Sequence, residues 1–267
     1  MSVWGMKDLQ GESKSKFDDG APFKLMRDTV ITVLSGAGIS AESGIPTFRG
    51  ADGLWNDPKL ARLATPYGFA DDPEAGWNFY NDRRANMAKA EPNNAHITLA
   101  NLESLGFDIV VITQNIDRLH QKAGSKRVIE LHGTVWEIKC GNPSCALEPF
   151  ENTDVPIRNV PLYCDRCGTH LRPNVVFFEE MLDPLVIQAT ERRTSMTELF
   201  MVVGTSGTVY PAAGFAHMAR ACGAYTIEFN IEKTPLSPIC HMSVFGPCGE
   251  SIPKTLTELS GGIVKFQ

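Results

Sequence analysis

The chain has 267 residues, of which 43% are hydrophobic and 21% charged, so it can bury a large core in the manner of an ordinary globular protein. A formal net charge of -6 argues against a nucleic-acid-binding protein that relies on a basic surface. No apolar run approaches the roughly 20 residues that span a bilayer, and the N-terminus shows neither a secretory signal nor an Arg-rich presequence. We therefore expect an intracellular protein (mitochondrial, cytoplasmic or nuclear) with no membrane or nucleic-acid partner.

Apolar, β-branched segments alternate with segments of helical character along the chain. They predict strands over residues 30–34, 108–113, 127–131, 199–203 and 225–229, and helices over 73–90, 95–105 and 211–222. Most of the strand segments are nearly continuously apolar, as expected for parallel strands that are covered on both faces. The pattern predicts an α/β fold with a doubly wound parallel sheet, whose ligand binds beyond the carboxyl ends of the strands.

A glycine-rich turn follows the first predicted strand, at residues 36–40 (GAGIS). A strand that enters such a turn is typical of a site where backbone N–H groups and a helix N-terminus bind a pyrophosphate. The third glycine comes only at Gly44, so the spacing differs from the G-x-G-x-x-G of dehydrogenases. We therefore expect a nucleotide site of another kind, followed by a mobile loop that contains Phe48 and Arg49.

Four more polar segments follow predicted strands, at residues 113–117, 131–133, 204–206 and 230–232. Because the carboxyl ends of parallel strands meet at one edge of a sheet, we expect these segments and the turn at 36–40 to line one site. His132 stands directly after a strand and before a glycine. In this company it is predicted to be a general base, the alternative being a hydrogen-bonded structural histidine.

Seven cysteines in a chain without a secretion signal favour thiols or metal ligands over disulfides. The strand–helix pattern breaks between about residues 139 and 171, and two close cysteine pairs lie there: Cys140, Cys145, Cys164 and Cys167. Two such pairs suit tetrahedral coordination of one structural Zn²⁺ by thiolates, and the alternative is two independent pairs of buried cysteines. Cys222 and Cys240 are expected to be small buried residues rather than nucleophiles.

In this order, the turn, the polar strand ends and the four cysteines resemble the motifs of sirtuins, from about residue 29 to residue 248. The resemblance implies a Rossmann-like large domain (about 29–50, 106–135 and 175–267) and a smaller domain (about 51–105 and 136–174) that contains a zinc ribbon at 139–171. A partly flexible segment (1–28) would precede them. NAD and an acylated-lysine protein or peptide would bind between the domains, and we expect a monomer.

The resemblance also assigns roles to single residues. The NAD-binding residues would be Gly36, Ala37, Gly38, Ile39 and Ser40 at the pyrophosphate, Phe48 and Arg49 on the cofactor-binding loop, Gln114, Asn115, Ile116 and Asp117 at the nicotinamide and its ribose, Gly204, Thr205 and Ser206 on the phosphate and adenine side, Asn230, Ile231 and Glu232 near the adenine ribose, and Cys248 at the adenine. Asn115 and His132 would be catalytic. The acyl oxygen would attack C1′ of the nicotinamide ribose, nicotinamide would leave, and His132 would activate a ribose hydroxyl, which yields free lysine and O-acyl-ADP-ribose.

The predicted helix at 73–90 indicates which acyl group is removed. Tyr80 and Arg83 lie three residues apart and therefore on one helix face. They resemble the Tyr-x-x-Arg pair with which class III sirtuins bind the distal carboxylate of succinyl-, malonyl- or glutaryl-lysine, and a guanidinium suits a carboxylate through charge-assisted hydrogen bonds. The alternative is that Tyr80 packs in the core while Arg83 lies in a solvated stretch with Asp82 and Arg84.

Ala64, Val175 and Phe177 complete the substrate residues that the resemblance implies, and the small Ala64 would leave room for a longer acyl chain. The segment at 176–180 departs from the Phe-Gly-Glu of many sirtuins, because Glu179 stands in place of the glycine. Such a segment pairs with the substrate backbone as an added strand. We therefore expect Glu179 to alter the approach of the peptide and to disfavour acidic flanking residues.

Several functions are compatible with these residues. The leading prediction is NAD-dependent removal of negatively charged acyl groups from lysine, with weak deacetylation. A general deacetylase or a protein ADP-ribosyltransferase would use the same site. A hydride-transferring dehydrogenase lacks the usual glycine spacing, and a zinc-ribbon interaction module would leave the α/β body unexplained.

Overall fold

The computed structural model describes Phe17 and residues 22–47, 57–262 and 264. Its main feature is a parallel sheet, here called the large sheet, whose strands are β1 (Val30–Ser35), β2 (Asp108–Thr113), β3 (Val128–Glu130), β7 (Leu199–Val203), β8 (Tyr225–Asn230) and β9 (Met242–Phe245). Their order is β3-β2-β1-β7-β8-β9, and all neighbouring pairs run parallel. Every strand except β9 was predicted from the sequence, so the parallel α/β architecture is confirmed.

Helices cover both faces of the large sheet. The described α-helices are α1 (Pro58–Leu63), α2 (Pro66–Asp71), α3 (Pro73–Lys89), α4 (Asn94–Ser104), α5 (Leu119–Lys122), α6 (Pro184–Ser195), α7 (Ala212–Ala221) and α8 (Cys248–Leu259). Side chains of α4 and α8 share a core with Ile31 and Val33, whereas those of α7 share another core with Leu34. Successive residues of β1 therefore face opposite layers, as in a doubly wound sheet.

A smaller unit, here called the small module, combines α1–α3 with an antiparallel sheet. The strands of this sheet are β4 (Gly133–Cys140), β5 (Phe150–Glu151) and β6 (Leu171–Val175), in the order β5-β4-β6. The small module has a core of its own, in which Phe69, Trp77 and Tyr80 are buried. Residues 133–135, which the predicted ranges assign to the large domain, belong to β4, and Gly133 and Thr134 pair there with β6.

The chain passes from the large sheet to the small module through His132 and Gly133. Gly133 has a φ of +70°, and a Cβ atom at this position would lie 2.0 Å from the carbonyl oxygen of Asn174. Only glycine fits both the backbone conformation and the space. The His-Gly pair therefore marks the point where the chain changes sheets at the edge of the cavity described below.

Helix α3 starts where its sequence predicts. Asp72 Oδ1 accepts a hydrogen bond from the backbone N–H of Ala75 (3.0 Å), and Pro73 occupies the first helical position. This cap fixes the helical register, which places Tyr80 and Arg83 on one face of α3.

Two other expectations concern single features. Cys222 is exposed, so the prediction that it is buried is wrong; it forms the C-cap of α7 beside the exposed Ala221, and the chain becomes buried again only at Ala224. Cys240 is only partly buried. None of the helices within the described residues is long and apolar enough to cross a membrane.

Candidate active site

One cavity of about 1060 Å³ lies between the carboxyl ends of the large-sheet strands and the small module. All five polar strand ends contribute to its lining, through Gly36, Ala37, Gly38, Gln114, Asn115, Ile116, His132, Gly204, Thr205, Ser206, Asn230, Ile231 and Glu232. The small module and the chain that follows it contribute Ala64, Phe79, Tyr80, Arg83, Val175 and Phe177. The structure thus brings the predicted nucleotide and acyl residues to a single site.

Two glycines of the first turn allow it to lie directly against the loop at Gly204. A Cβ atom on Gly36 would lie 2.9 Å from the carbonyl oxygen of Gly204, and one on Gly38 would lie 2.7 Å from it. A 3₁₀ helix then runs over Ala37–Ser43 and ends at Gly44, whose φ is +81°. The displaced third glycine therefore terminates a 3₁₀ helix, a different task from the helix–strand packing of the third glycine in a dehydrogenase.

A buried chain of hydrogen bonds lies behind the cavity wall. Asn115 Nδ2 donates to the carbonyl oxygen of Gly36 (3.1 Å) and to Ser40 Oγ (3.1 Å), and Ser40 Oγ donates to Asp117 Oδ2 (2.8 Å). Burial raises the pKa of Asp117, although hydrogen bonds from a backbone N–H and from Ser40 act against the shift. Of the predicted cofactor residues, Ile39, Ser40 and Asp117 do not line the cavity. Ser40 and Asp117 position Asn115 from behind, and Ile39 packs in the core.

His132 lies on the cavity wall with its ring already oriented. Its Nδ1 is 2.9 Å from the carbonyl oxygen of Gln114. Because a carbonyl oxygen can only accept, Nδ1 carries the proton and Nε2 keeps its lone pair. Burial lowers the pKa of His132, although the hydrogen bond to Gln114 opposes the shift. The imidazole is therefore neutral at pH 7, and Nε2 can act as a base.

The other end of the cavity is built from the loops after β7 and β8 and from the start of α8. Asn230 Nδ2 donates to the carbonyl oxygen of Thr205 (2.9 Å) and so joins two of the predicted cofactor segments. Cys248 begins α8 and is buried in the cavity wall. Phe48 and Arg49, the predicted cofactor-loop residues, lie outside the described residues.

Two acidic residues that support this end of the cavity, Glu42 in its wall and Glu228 behind it, were not predicted from the sequence. Glu228 is fully buried and accepts hydrogen bonds from the hydroxyls of Thr234, Ser237 (2.5 Å) and Ser243 (3.0 Å). Glu42 Oε2 accepts from the backbone N–H of Gly249 (2.7 Å), 207 positions further along the chain. Each carboxylate holds a loop at the cavity through partners that no local sequence pattern reveals.

Arg83 lies at the small-module end of the cavity with few partners. Its Nη1 donates to the carbonyl oxygen of Phe79 (2.9 Å), and its Cζ lies 3.3 Å from the centroid of the Phe79 ring. Its Nε is buried with no hydrogen-bond partner, and no acid among the described residues forms an ion pair with it. Burial lowers the pKa of Arg83 to about 10, while Tyr80 and Asp82 act in the opposite direction. The guanidinium is therefore charged at pH 7.

Tyr80 lies one turn before Arg83 and is only 2% exposed. Its ring stacks with that of Phe177, with centroids 5.7 Å apart and planes at 12°. Burial raises the pKa of the Tyr80 hydroxyl well above its usual range, against the positive charges of Arg172 and Arg83. The hydroxyl therefore stays protonated and can donate a hydrogen bond to an anion. Ala64 is buried close by in the same core and also lines the cavity.

The alternative interpretation of this helix is correct for Tyr80, which packs in the core, and for the exposed Asp82, but wrong for the two arginines. Tyr80 does pack in the core of the small module, and it lines the cavity as well. The arginines do not lie in a solvated stretch, because Arg84 is fully buried and Arg83 is partly buried. Arg84 donates to the backbone carbonyl oxygens of Val135, Asn152 and Asp154.

The segment after β6 forms the edge of the cavity next to the acyl residues. Phe178 N–H donates to the carbonyl oxygen of Ala64 (2.8 Å), which joins this segment to the end of α1. Glu179 is exposed and has a φ of +71°, a left-handed conformation that glycine adopts without strain. The departure from the family motif therefore falls on a residue whose backbone conformation favours the glycine it replaces.

The four predicted metal ligands converge in the small module. The Sγ atoms of Cys140, Cys145, Cys164 and Cys167 lie within 4.8 Å of one another, and the closest pairs are 3.4 Å and 3.8 Å apart. Tetrahedral Zn²⁺ with Zn–S bonds of about 2.3 Å requires sulfur atoms about 3.8 Å apart. The donor set therefore fits a structural Zn²⁺ with all four positions filled by thiolates.

Comparisons with protein families and solved structures show which known proteins this chain resembles. The profile of the Sir2 family matches residues 36–211. A protein named NAD-dependent protein deacylase from Aquifex aeolicus (strain VF5) is 46% identical over 81% of this chain and 90% of its own. NAD-dependent protein deacylase sirtuin-5, mitochondrial, from Canis lupus familiaris is 38% identical over 88% of this chain and 83% of its own. A solved Sir2 homolog–NAD complex is 40% identical, covers 90% of this chain and 96% of that one, and superposes with a TM-score of 0.77.

Proposed function

This chain belongs to the Sir2 family of NAD-dependent protein deacylases, and we propose that it removes acyl groups that end in a carboxylate (succinyl, malonyl and glutaryl) from lysine side chains. Nicotinamide, free lysine and O-acyl-ADP-ribose are the products, and deacetylation is weak. The names of the relatives support the deacylase activity, and the sirtuin-5 name of the canine relative supports the branch.

The residues around the cavity suit this chemistry. NAD, when bound, supplies the ribose carbon from which nicotinamide leaves and the ribose hydroxyl groups. Asn115, held from behind by Ser40 and Asp117, presents its amide at the cavity wall. His132 Nε2 takes the proton of a ribose hydroxyl, and its Nδ1–H bond to Gln114 keeps the ring in place. The main contribution of the protein is to hold both substrates in the reactive orientation.

The acyl preference rests on the state of Arg83. A buried N–H group without an acceptor is unfavourable by roughly 1–3 kcal/mol, and a buried cation without a counter-ion adds to that penalty. The methyl group of acetyl-lysine would supply neither the hydrogen-bond acceptor nor the counter-ion that Arg83 lacks. A carboxylate at the end of an acyl chain supplies acceptors and the opposite charge, and Tyr80 adds a protonated hydroxyl beside it. The unpaired Arg83 in the cavity wall is the observation that carries the proposal.

A peptide that carries acetyl-, malonyl-, succinyl- or glutaryl-lysine tests the preference. In Arg83→Met we expect kcat/KM for succinyl-lysine to fall by about 100-fold or more, while acetyl-lysine turnover is kept or raised. Lys89→Met is the matched control, because it removes a charge from an exposed position of the same helix. Unaltered turnover of succinyl-lysine in Arg83→Met would rule out the carboxylate pocket.

A second variant separates deacylation from other uses of the same site. His132→Tyr should abolish removal of every acyl group while NAD still binds, as measured by calorimetric titration. NAD labelled in its adenosine half then reports the acceptor in the wild-type protein. Label in a small O-acyl-ADP-ribose supports deacylation, whereas label on protein would indicate ADP-ribosyl transfer.

Two further expectations also stay proposals. We propose an intracellular location, and the word mitochondrial in the name of the canine relative supports that compartment. We also propose a monomer. Fractionation of cells that express the natural gene tests the first, and sedimentation velocity tests the second.

A further inference from the structure

A largely buried ion pair lies at the acyl end of the cavity, where Glu180 contributes to the lining. Arg172, whose side chain is 6% exposed, donates from Nη1 to Glu180 Oε1 (2.6 Å) and from Nη2 to Glu180 Oε2 (2.8 Å). Arg172 is in β6, and Glu180 lies eight residues later, within the segment that lines the cavity. The bidentate pair therefore closes residues 172–180 into a loop of fixed geometry.

The same two side chains hold Phe177 within this loop. Glu180 Oε2 also accepts from the backbone N–H of Phe177 (2.8 Å), and Arg172 Nη2 also donates to the carbonyl oxygen of Val175 (2.7 Å). The Arg172 guanidinium lies 3.4 Å from the centroid of the Phe177 ring. Both the backbone and the ring of Phe177 are thus fixed by the ion pair, and the ring is only 3% exposed.

Phe177 in turn contacts the residue that we assign to the acyl carboxylate. Its ring stacks with that of Tyr80 at 12°, whereas Phe69 meets both rings at oblique angles. The parallel contact restricts the tilt of the Tyr80 ring, and hence the direction of its hydroxyl. Phe69 supplies part of the same support, so loss of the ion pair should loosen Tyr80 without releasing it.

We propose that Arg172 and Glu180 are positioning residues, which act through Phe177 to hold the Tyr80 hydroxyl in place for the carboxylate of the acyl group. This inference rests on the proposed function. Neither residue needs to touch the acyl group, because the contacts run from the ion pair to Phe177 and from Phe177 to Tyr80. A guanidinium is required at position 172, since lysine has neither the planar fork for Glu180 nor the flat surface for Phe177.

Two other roles for the ion pair predict different results. If Arg172 acted only as an extra positive charge near the cavity, Glu180→Gln would free that charge and raise the preference for carboxylate-bearing acyl groups. If the pair only stabilised the fold, Glu180→Gln would change all acyl groups alike. The positioning role predicts a selective loss for succinyl-lysine that depends on the Tyr80 hydroxyl.

A double-mutant cycle distinguishes these roles. We expect Glu180→Gln to lower the ratio of kcat/KM for succinyl- over acetyl-lysine by about fivefold, with the KM for NAD unchanged. In a Tyr80→Phe background the same change should alter the ratio by less than about twofold. Arg172→Lys, which keeps the charge, should behave like Glu180→Gln. A rise in the ratio, or an equal fall in both backgrounds, would overturn the proposal.

Glu137→Gln serves as the matched control. Glu137, in β4 of the small module, also belongs to an ion pair, with Arg118 (2.5 Å), and its side chain is 28% exposed, against 25% for Glu180. Unlike Glu180 it does not line the cavity. Its Oε2 accepts from Asn174 Nδ2 (2.8 Å), in the same loop, but it forms no hydrogen bond with Phe177. The ratio should therefore stay at the wild-type value in this variant. A fall similar to that in Glu180→Gln would mean that any broken ion pair in the small module has the same effect, which contradicts a specific positioning role.

A measurement without substrate keeps this test independent of the proposed function. Fluorine NMR of protein labelled with 3-fluorotyrosine gives one resonance for Tyr80, identified by its loss in Tyr80→Phe. We expect this resonance to shift in Glu180→Gln and to stay in place in Glu137→Gln. An unmoved resonance would overturn the positioning role whatever acyl group is removed. If the resonance moves but the wild type removes no carboxylate-bearing acyl group, the link to Tyr80 stands and the proposed acyl preference fails.

Discussion

Two arginines follow one another on α3 and stand in opposite situations. Arg84 faces β4 and the chain that follows β5, where it is fully buried, donates to three backbone carbonyl oxygens and lies 4.9 Å from the centroid of the Trp136 ring. Arg83 faces the cavity, where its Nη1 has one carbonyl partner and its buried Nε has none. Burial lowers the pKa of both guanidinium groups to about 10, so both are charged at pH 7.

The difference in hydrogen-bond partners distinguishes an arginine that stabilises the fold from one that is available to bind a ligand. Buried polar groups in folded proteins are almost always hydrogen-bonded, and an exception calls for an explanation. Arg84 is satisfied by the protein itself and joins α3 to β4 and to residues 152–154, between the two cysteine pairs. Arg83 is left with unused donors at a cavity, which a ligand can satisfy. The number of hydrogen-bond partners, rather than the charge, tells the two residues apart.

The largest expected effect is the loss of stability on replacement of Arg84, whose guanidinium is hydrogen-bonded within the protein. Arg84→Met leaves the buried carbonyl oxygen of Val135 and the more accessible ones of Asn152 and Asp154 without their donor, and an unsatisfied buried group is unfavourable by roughly 1–3 kcal/mol. We expect the free energy of unfolding to fall by about 3–5 kcal/mol, measured by urea denaturation of the zinc-loaded protein. A loss below about 1 kcal/mol would show that Arg84 is no more structural than a surface residue.

Replacement of Arg83, at the cavity, should change the free energy of unfolding much less. Arg83→Met removes an unsatisfied buried N–H and a desolvated charge and keeps much of the aliphatic packing, so we expect the free energy of unfolding to change by less than about 1 kcal/mol in either direction. The same denaturation experiment measures it, with Lys89→Met as the reference. A destabilisation as large as that of Arg84→Met would break the comparison, because Arg83 would then be part of the fold.

The smallest expected effect is a pH dependence of the acyl preference, caused by titration of Arg83. Loss of the Arg83 proton removes the cation, so the preference for succinyl- over acetyl-lysine should be present below pH 9 and fall about twofold by pH 10, near the pKa of about 10. Protonation of His132, whose pKa lies below its ordinary value, acts on both acyl groups equally and leaves the ratio flat. The ratio of kcat/KM values, measured from pH 6 to 10.5 in steps of about half a unit, tests this. A preference that disappears near pH 7 would assign it to another group.

Much of the large sheet could be predicted from the sequence because most of its strands are recognisable from their local residue pattern. Most of the predicted strands are nearly continuous apolar runs covered on both faces, although β3 is only partly buried. The small module could not be predicted in the same way, since β6 contains Arg172 and Pro173 and is stabilised by contacts with Glu180 and β4. Helix α8 was also missed, because it carries Pro253 in its interior.

The site was predictable to the extent that its residues stand at strand ends or in known motifs. His132, Asn115 and the glycine turn were found in this way. Sequence spacing could not show that Ser40 and Asp117 lie behind the cavity wall, because that depends on the hydrogen bonds among three separate segments. Nor could it show that the Nε of Arg83 has no partner while every guanidinium nitrogen of Arg84 has one, since the partners of Arg84 lie 51 to 70 residues away.

The unused donors of Arg83 also bear on how acyl preference can evolve. A residue that contributes little to folding can be replaced without a prior stabilising change elsewhere. Selection on mutations at this codon therefore acts mainly through the acyl-lysine that the enzyme removes. At the adjacent codon, most replacements would fall below the stability threshold before their effect on activity mattered. Under the proposed function, position 83 is therefore a place where one substitution can redirect the enzyme to a new acyl class, by natural selection or by engineering.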